Sequence, residues 1–143
     1  MPASLAFRSG AANPPTKDVI YRDLNITFAA HPVTKRLSTL TNADAIKRAV
    51  RNLILTNTYE RPYNPLFGGN VTAYLFELFT PSLRTELVRR IKETIRAFEP
   101  RAKIINVTVT TDEDQNSLFV QIVFRPVNST APVQLNLSLE RVR

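Results

Sequence analysis

The chain has 143 residues, 43% hydrophobic and 22% charged, enough to bury the core of one domain, and no apolar run approaches the ~20 residues that span a bilayer. With no cysteine and a single histidine, His31, it has no disulfide, thiolate metal site, cysteine nucleophile or multi-histidine metal site, and Met1–Gly10 lacks the apolar core of a signal peptide. The formal net charge is +7; such an excess suits nucleic acid, an anionic membrane surface or an acidic protein neighbour, and charge alone does not choose among them.

Residues 1–19 are expected to form an extended arm that orders against a partner, because Pro14 and Pro15 each lack an N–H and restrict the residue before them. A single α+β domain is expected over 20–143. In Tyr21–Phe28, Leu24, Ile26 and Phe28 alternate with Asp23, Asn25 and Thr27, the pattern of a short strand with one buried face. Residues 41–56 read as a helix. Thr41 and Asp44 have the spacing of a capping box, and Ile46, Ala49, Val50, Leu53 and Ile54 form one apolar stripe. Lys47, Arg48 and Arg51 lie off that stripe, as a solvated face or as a basic docking surface.

The segment Tyr59–Asn70 holds two prolines and two of the chain's three glycines, so regular structure stops there. Gly68 and Gly69 permit positive φ or a close backbone approach. The residues Arg61, Pro62, Asn64, Pro65, Phe67, Gly68 and Gly69 either close the core or make contact with a partner. Asn70 is placed to cap a short helix, Val71–Phe79. Thr80 then suits an N-cap and Pro81 the first helical position of a helix running to about Phe98. Its core stripe is Leu83, Leu87, Val88, Ile91, Ile95 and Phe98, and the pairs Glu86–Arg90 and Arg89–Glu93 give it a solvated outer face. Pro100 ends it.

The last third alternates as strands: Ile105, Val107, Val109; then Leu118, Val120, Ile122, Phe124; then Val133, Leu135, Leu137, Leu139. Short polar or proline-bearing connectors make this an antiparallel meander. With two or three helices packed on a small, mainly antiparallel sheet, the fold class is α+β. The final strand is placed at an edge, where Val133, Leu135, Leu137, Leu139 and Arg141 mark a pairing surface for another chain's strand.

Catalytic motifs are missing. There is no Gly-rich dinucleotide loop, P-loop, nucleophile elbow or metalloprotease helix. Glu60, Glu77, Glu86, Glu93 and Glu99 are the candidate acids for glycoside hydrolysis, which needs two carboxylates at a set separation, but no motif singles out a pair. No cofactor or metal is expected. For nucleic acid there is no aromatic stacking platform beyond Phe119, so the alternative of a small basic nucleic-acid-binding domain rests on charge.

Two motifs carry a family resemblance. The stretch RPYNPLFGGN (Arg61–Asn70), followed by a short and a long helix that ends in FEPR (Phe98–Arg101), resembles the baseplate wedge proteins of T-even-type contractile phage tails. Those proteins form a sheath-initiator family shared with type VI secretion baseplates and tailocins. The likeness spans roughly residues 20–142. It implies a non-enzymatic structural subunit of a virion tail baseplate, assembled in the bacterial host cytoplasm and present in several copies of a sixfold assembly. The implied partners are larger baseplate wedge subunits and the tail sheath protein, with tail tube or hub proteins as further neighbours and no membrane. Glu99, Pro100 and Arg101 map onto the family's Glu-Pro-Arg motif. They imply wedge docking from a rigid corner, where the residues alone allow a local helix-end ion pair. The last strand implies a template for sheath strands.

Overall fold

The computed structural model describes residues 21–112 and 117–140; the expected arm 1–19 and Arg141 lie outside them. The architecture is α+β. A small hairpin of β1 (Arg22–Leu24) and β2 (Thr39–Thr41) leads into α1 (Asn42–Leu55), a 3-10 helix (Val71–Phe76) and α2 (Pro81–Phe98). The chain ends in an antiparallel meander of β3 (Ala102–Asp112), β4 (Ser117–Pro126) and β5 (Val133–Glu140), in spatial order β3-β4-β5.

Both helices are amphipathic, and their apolar stripes meet one face of the meander. Ile46, Val50, Leu53 and Ile54 of α1 and Leu87, Ile91 and Ile95 of α2 are buried against Val107, Val109, Val120, Ile122, Phe124, Leu135 and Leu137. At roughly 25 cal/mol per Å² of apolar surface removed from water, this shared core is the dominant favourable term in folding. The start of α2 forms as its sequence dictates: Pro81 occupies the first turn and the Thr80 hydroxyl accepts the Leu83 N–H at 3.2 Å.

Several local expectations are corrected. Thr41 does stand at the N-cap of α1, but its side chain makes no cap bond. Asn70 likewise lacks a cap bond, and the helix after it is a 3-10 turn ending at Phe76. Glu86 pairs with Arg89, which also binds Glu93, both at 2.6 Å. Arg90 instead points its Nε at the Gly69 carbonyl, 3.4 Å away. The expected buried face on Tyr21–Phe28 is absent. The strand is three residues long and, among the described residues, pairs only with β2; Leu24, Ile26 and Phe28 are all exposed. On β3 a bulge between Ile104 and Asn106 turns Ile104 toward the core and leaves Ile105 half exposed.

The loop between α1 and the 3-10 helix is held by its two glycines. The Gly69 N–H is shared between the carbonyls of Leu53 and Thr56, each at 3.1 Å, and the Asn70 N–H also reaches Thr56. These bonds satisfy carbonyls that the end of α1 would otherwise leave unpaired. Gly68 has φ of +123°, and a Cβ there would collide with the Thr56 carbonyl. Replacing Gly68 with alanine should lower unfolding free energy by about 2 kcal/mol or more. The check is a shift of the urea midpoint to lower concentration with an unchanged m-value.

Candidate functional site

The corner between α2 and β3 is built from the backbone outward. The Glu99 N–H donates to Ile95 at 2.8 Å, Ala102 N–H returns to Glu99 at 3.1 Å, and Val127 N–H donates to the Arg101 carbonyl at 3.0 Å. Pro100, which has no N–H to continue the helix, sits between them. The Glu99 side chain does not project from this corner: the residue is 6% exposed. Its two carboxylate oxygens take a fork from Arg101, Nε at 2.5 Å and Nη2 at 2.7 Å. This pairing raises the Arg101 pKa above its ordinary value, chiefly through the hydrogen bond to Glu99. The guanidinium carbon also lies 5.0 Å from the centre of the Tyr21 ring. The Arg101 side chain keeps 38% of its surface in solvent, so the corner shows a charged, rigidly aimed arginine supported by a buried glutamate.

The loop motif reaches the same corner. Phe67 meets Phe98 edge to face, with ring centres 5.2 Å apart, and the Arg61 guanidinium carbon lies over the Phe67 ring, 4.2 Å from its centre. The two motifs therefore form one ridge, Arg61–Phe67–Phe98, ending next to Glu99 and Arg101. The loop itself divides. Gly68 and Gly69 are buried and Phe67 is half-buried. Arg61, Pro62, Asn64 and Pro65 are exposed, together with Tyr59 and Tyr63, which hold positive φ, and Leu66. Exposed tyrosines and arginines on a fixed backbone are the residue types enriched among binding hot spots. Sequence reasoning named the loop, yet not Tyr21, whose role as the cover of Arg101 depends on a contact between distant parts of the chain.

The third predicted element is β5. Its edge position is as expected, and Leu135, Leu137 and Leu139 point into the core at 3–6% exposure. Its outward side chains are Gln134, Asn136, Ser138 and Glu140. What β5 can offer another strand is therefore its backbone and this polar row. The other edge strand, β3, carries the bulge at Ile105, whereas the β4–β5 register runs without a shift from Val133 to Glu140; α2 contacts β3 and α1 contacts β5.

The comparisons with known proteins follow this geometry. The family described as baseplate wedge protein gp25 matches residues 41–129. The chain belongs to the gp25 baseplate wedge family. The gp25 protein of Enterobacteria phage T4, a baseplate wedge protein, is 31% identical over 96 residues, covering 66% of this chain and 73% of its own length. A chain in the sixfold-symmetrised baseplate of the anti-feeding prophage is 27% identical with a TM-score of 0.65, covering 77% of this chain and 88% of that one. A Geobacter sulfurreducens protein provisionally called a tail lysozyme has a TM-score of 0.61 at 21% identity, covering 68% and 89%; at that identity it shares the fold alone. The hairpin Arg22–Thr41, with its exposed Leu24, Ile26, Phe28, Val33 and Leu37, lies almost wholly before the residues that match the gp25 family.

The candidate acids are dispersed. Glu86 and Glu93 bind Arg89, Glu99 binds Arg101, and Glu60 accepts the Asn57 N–H at 2.8 Å. Among the described residues no group of three His, Cys, Asp or Glu is placed to hold a metal ion. Of the helical cations, Lys47 and Arg48 are half-buried and Arg51 is exposed.

Arg101 is half in solvent, so its loss costs mainly through the buried carboxylate left behind. Arg101→Met should destabilise the fold by about 2 kcal/mol, and adding Glu99→Met should recover part of that loss. Chemical denaturation of the two single variants and the double variant checks both signs.

Proposed function

We propose that this gp25-family chain is a non-enzymatic structural subunit of a contractile injection machine. It docks to the inner baseplate wedge through the Arg61–Phe67–Phe98–Arg101 ridge, and it starts the tail sheath along the free edge of β5. The observation that carries the reading is the asymmetry of the sheet. One edge strand, β3, carries a bulge, a usual protection against unwanted pairing. The other is regular over eight residues with an outward face free of bulky groups. A strand that adds to β5 gains backbone hydrogen bonds without disturbing the core.

Docking is assigned to Glu99, Pro100 and Arg101 with the exposed loop Arg61–Leu66. Glu99 acts from beneath by fixing the guanidinium, and Arg101 with Arg61 and Tyr63 meets the partner. Larger wedge subunits and the sheath protein are the partners in this reading, in repeated copies around the tail axis, with assembly in the host cytoplasm. Four of the five candidate glutamates, Glu60, Glu86, Glu93 and Glu99, are held by backbone or arginine partners, which speaks against their use as paired acids.

Co-expression with the large baseplate subunits of the same machine tests docking. Tagged wild-type protein should recover them at moderate salt, and both Arg101→Glu and the exposed Tyr63→Ser should lower recovery at least about tenfold. Full recovery with Tyr63→Ser and with any Arg101→Glu protein that retains its thermal transition would remove the ridge from the interface. Recovery of nucleic acid alone, shed as salt rises, would favour a basic nucleic-acid-binding domain.

Strand addition has its own test. Proline at Leu137 would confuse folding with pairing, since that side chain is buried. Lysines at Asn136 and Ser138 lie on the solvent side and discourage edge pairing. The double variant should keep its melting temperature, bind the wedge normally and nucleate far fewer sheathed particles by electron microscopy. Normal sheath numbers would refute β5 as the template.

A further inference from the structure

Among the described residues β5 bonds only to β4, in a register that runs from Val133 to Glu140 without a shift. Its other side leaves a row of backbone N–H and C=O groups open to any strand that matches it, and every copy of the chain carries the same row.

The sequence of β5 matches itself. Leu135, Leu137 and Leu139 are buried in the shared core, while Gln134, Asn136, Ser138 and Glu140 face solvent. Two antiparallel β5 strands keep like faces together only when their register is centred on a residue. A shift of one position would set the leucines of one copy against the solvent row of the other. Centred on Leu137, every residue from Gln134 to Glu140 has a partner. Leu135 of one copy meets Leu139 of the other, Asn136 meets Ser138, and Glu140 meets Gln134 and not a second carboxylate. Centred on Asn136, Glu140 would face Pro132, which precedes the strand and has no N–H to give. Charge does not oppose the contact. The chain carries +7, but the described meander holds two charges of each sign, Lys103 and Arg125 against Asp112 and Glu140.

We propose that a second copy of this chain occupies the β5 edge before the tail assembles. Two copies pair β5 to β5, antiparallel about Leu137, and their three-stranded meanders join into one sheet of six strands. The bulge between Ile104 and Asn106 denies β3 the same regular pairing. An interface confined to one strand from each copy is small, so the association is weak and the cap yields to a partner that makes more contacts. The consequence for the tail rests on the reading of β5 as the sheath template: a paired copy offers no open edge, so free subunits do not start a sheath away from the baseplate.

Sedimentation equilibrium on the full chain, with no other tail protein present, tests the pairing separately from the sheath reading. The wild type should pass from monomer to dimer as its concentration rises toward the millimolar range. Asn136→Lys with Ser138→Lys sets lysine opposite lysine in this register and should weaken the dimer at least about tenfold. Asn136→Glu with Ser138→Glu should do the same. Both changes lie on the solvent row, so each variant should keep the wild-type melting temperature. An equimolar mixture of the two variants should recover the dimer as a heterodimer. A wild type that stays monomeric, a lysine variant that dimerises as the wild type does, or variants that fail to pair in the mixture would each overturn the proposal.

Discussion

The approach of Gly68 and Gly69 to the last turn of α1 is the constraint on which the rest of the domain depends. Helix ends expose carbonyls that must find donors, and here the donors are backbone N–H groups from a loop fourteen residues further on. Only a residue without Cβ can lie so close to Thr56, and Gly68 also takes a φ that side chains resist. Once the glycines are seated, Phe67 is delivered onto Phe98, and the C-terminal end of α2 is tied to the end of α1. The direction in which α2 ends sets where Pro100 turns the chain, and so where β3 begins. Backbone contacts at two glycines thus orient the meander relative to the helices.

The Glu99–Arg101 pair extends this logic to the surface. A buried ion pair rarely stabilises a fold more than apolar residues of equal volume would, because both charges lose water. Its value here is orientation. A fork of two hydrogen bonds and the Tyr21 ring hold an arginine that would otherwise sample many rotamers. A side chain ordered before binding loses less entropy when a partner arrives. The internal pair thus orders the exposed guanidinium, and the docking proposed above would use that order.

The sequence was informative wherever one local rule had no competitor. Thr80 before Pro81 could only open a helix, and the last two apolar alternations, over β4 and β5, could only be half-buried strands, so these elements stand where periodicity put them. It misled where two arrangements shared a pattern. Ile104 and Ile105 are both apolar, and only pairing with β4, which sets Ile104 opposite Phe124, decides which one turns inward. Glu86 can reach Arg89 or Arg90 from the same helical turn, and the Gly69 carbonyl draws Arg90 away. Leu24, Ile26 and Phe28 alternate correctly for a buried face, but alternation records a capacity for burial, and among the described residues these three side chains stay exposed. Among site residues the loop and corner were legible as motifs. The burial of Glu99 and the cover supplied by Tyr21 were not, because each depends on contacts between residues far apart in the chain.

The meander also fixes how far apart the surfaces of so small a domain lie. The Arg101 corner immediately precedes β3, and Asp112 stands at the strand's other end. Eleven residues of strand separate them, roughly 35 Å at ~3.3 Å per residue. In the meander β5 runs in the same direction as β3, from Val133 near the corner end to Glu140 beside Ser117. Among the described residues its outer edge pairs with no other strand, and that edge runs the length of the sheet away from the Arg101 corner. In the function proposed above, ridge and edge would be fixed to one sheet, so that engagement at one would set the position of the other.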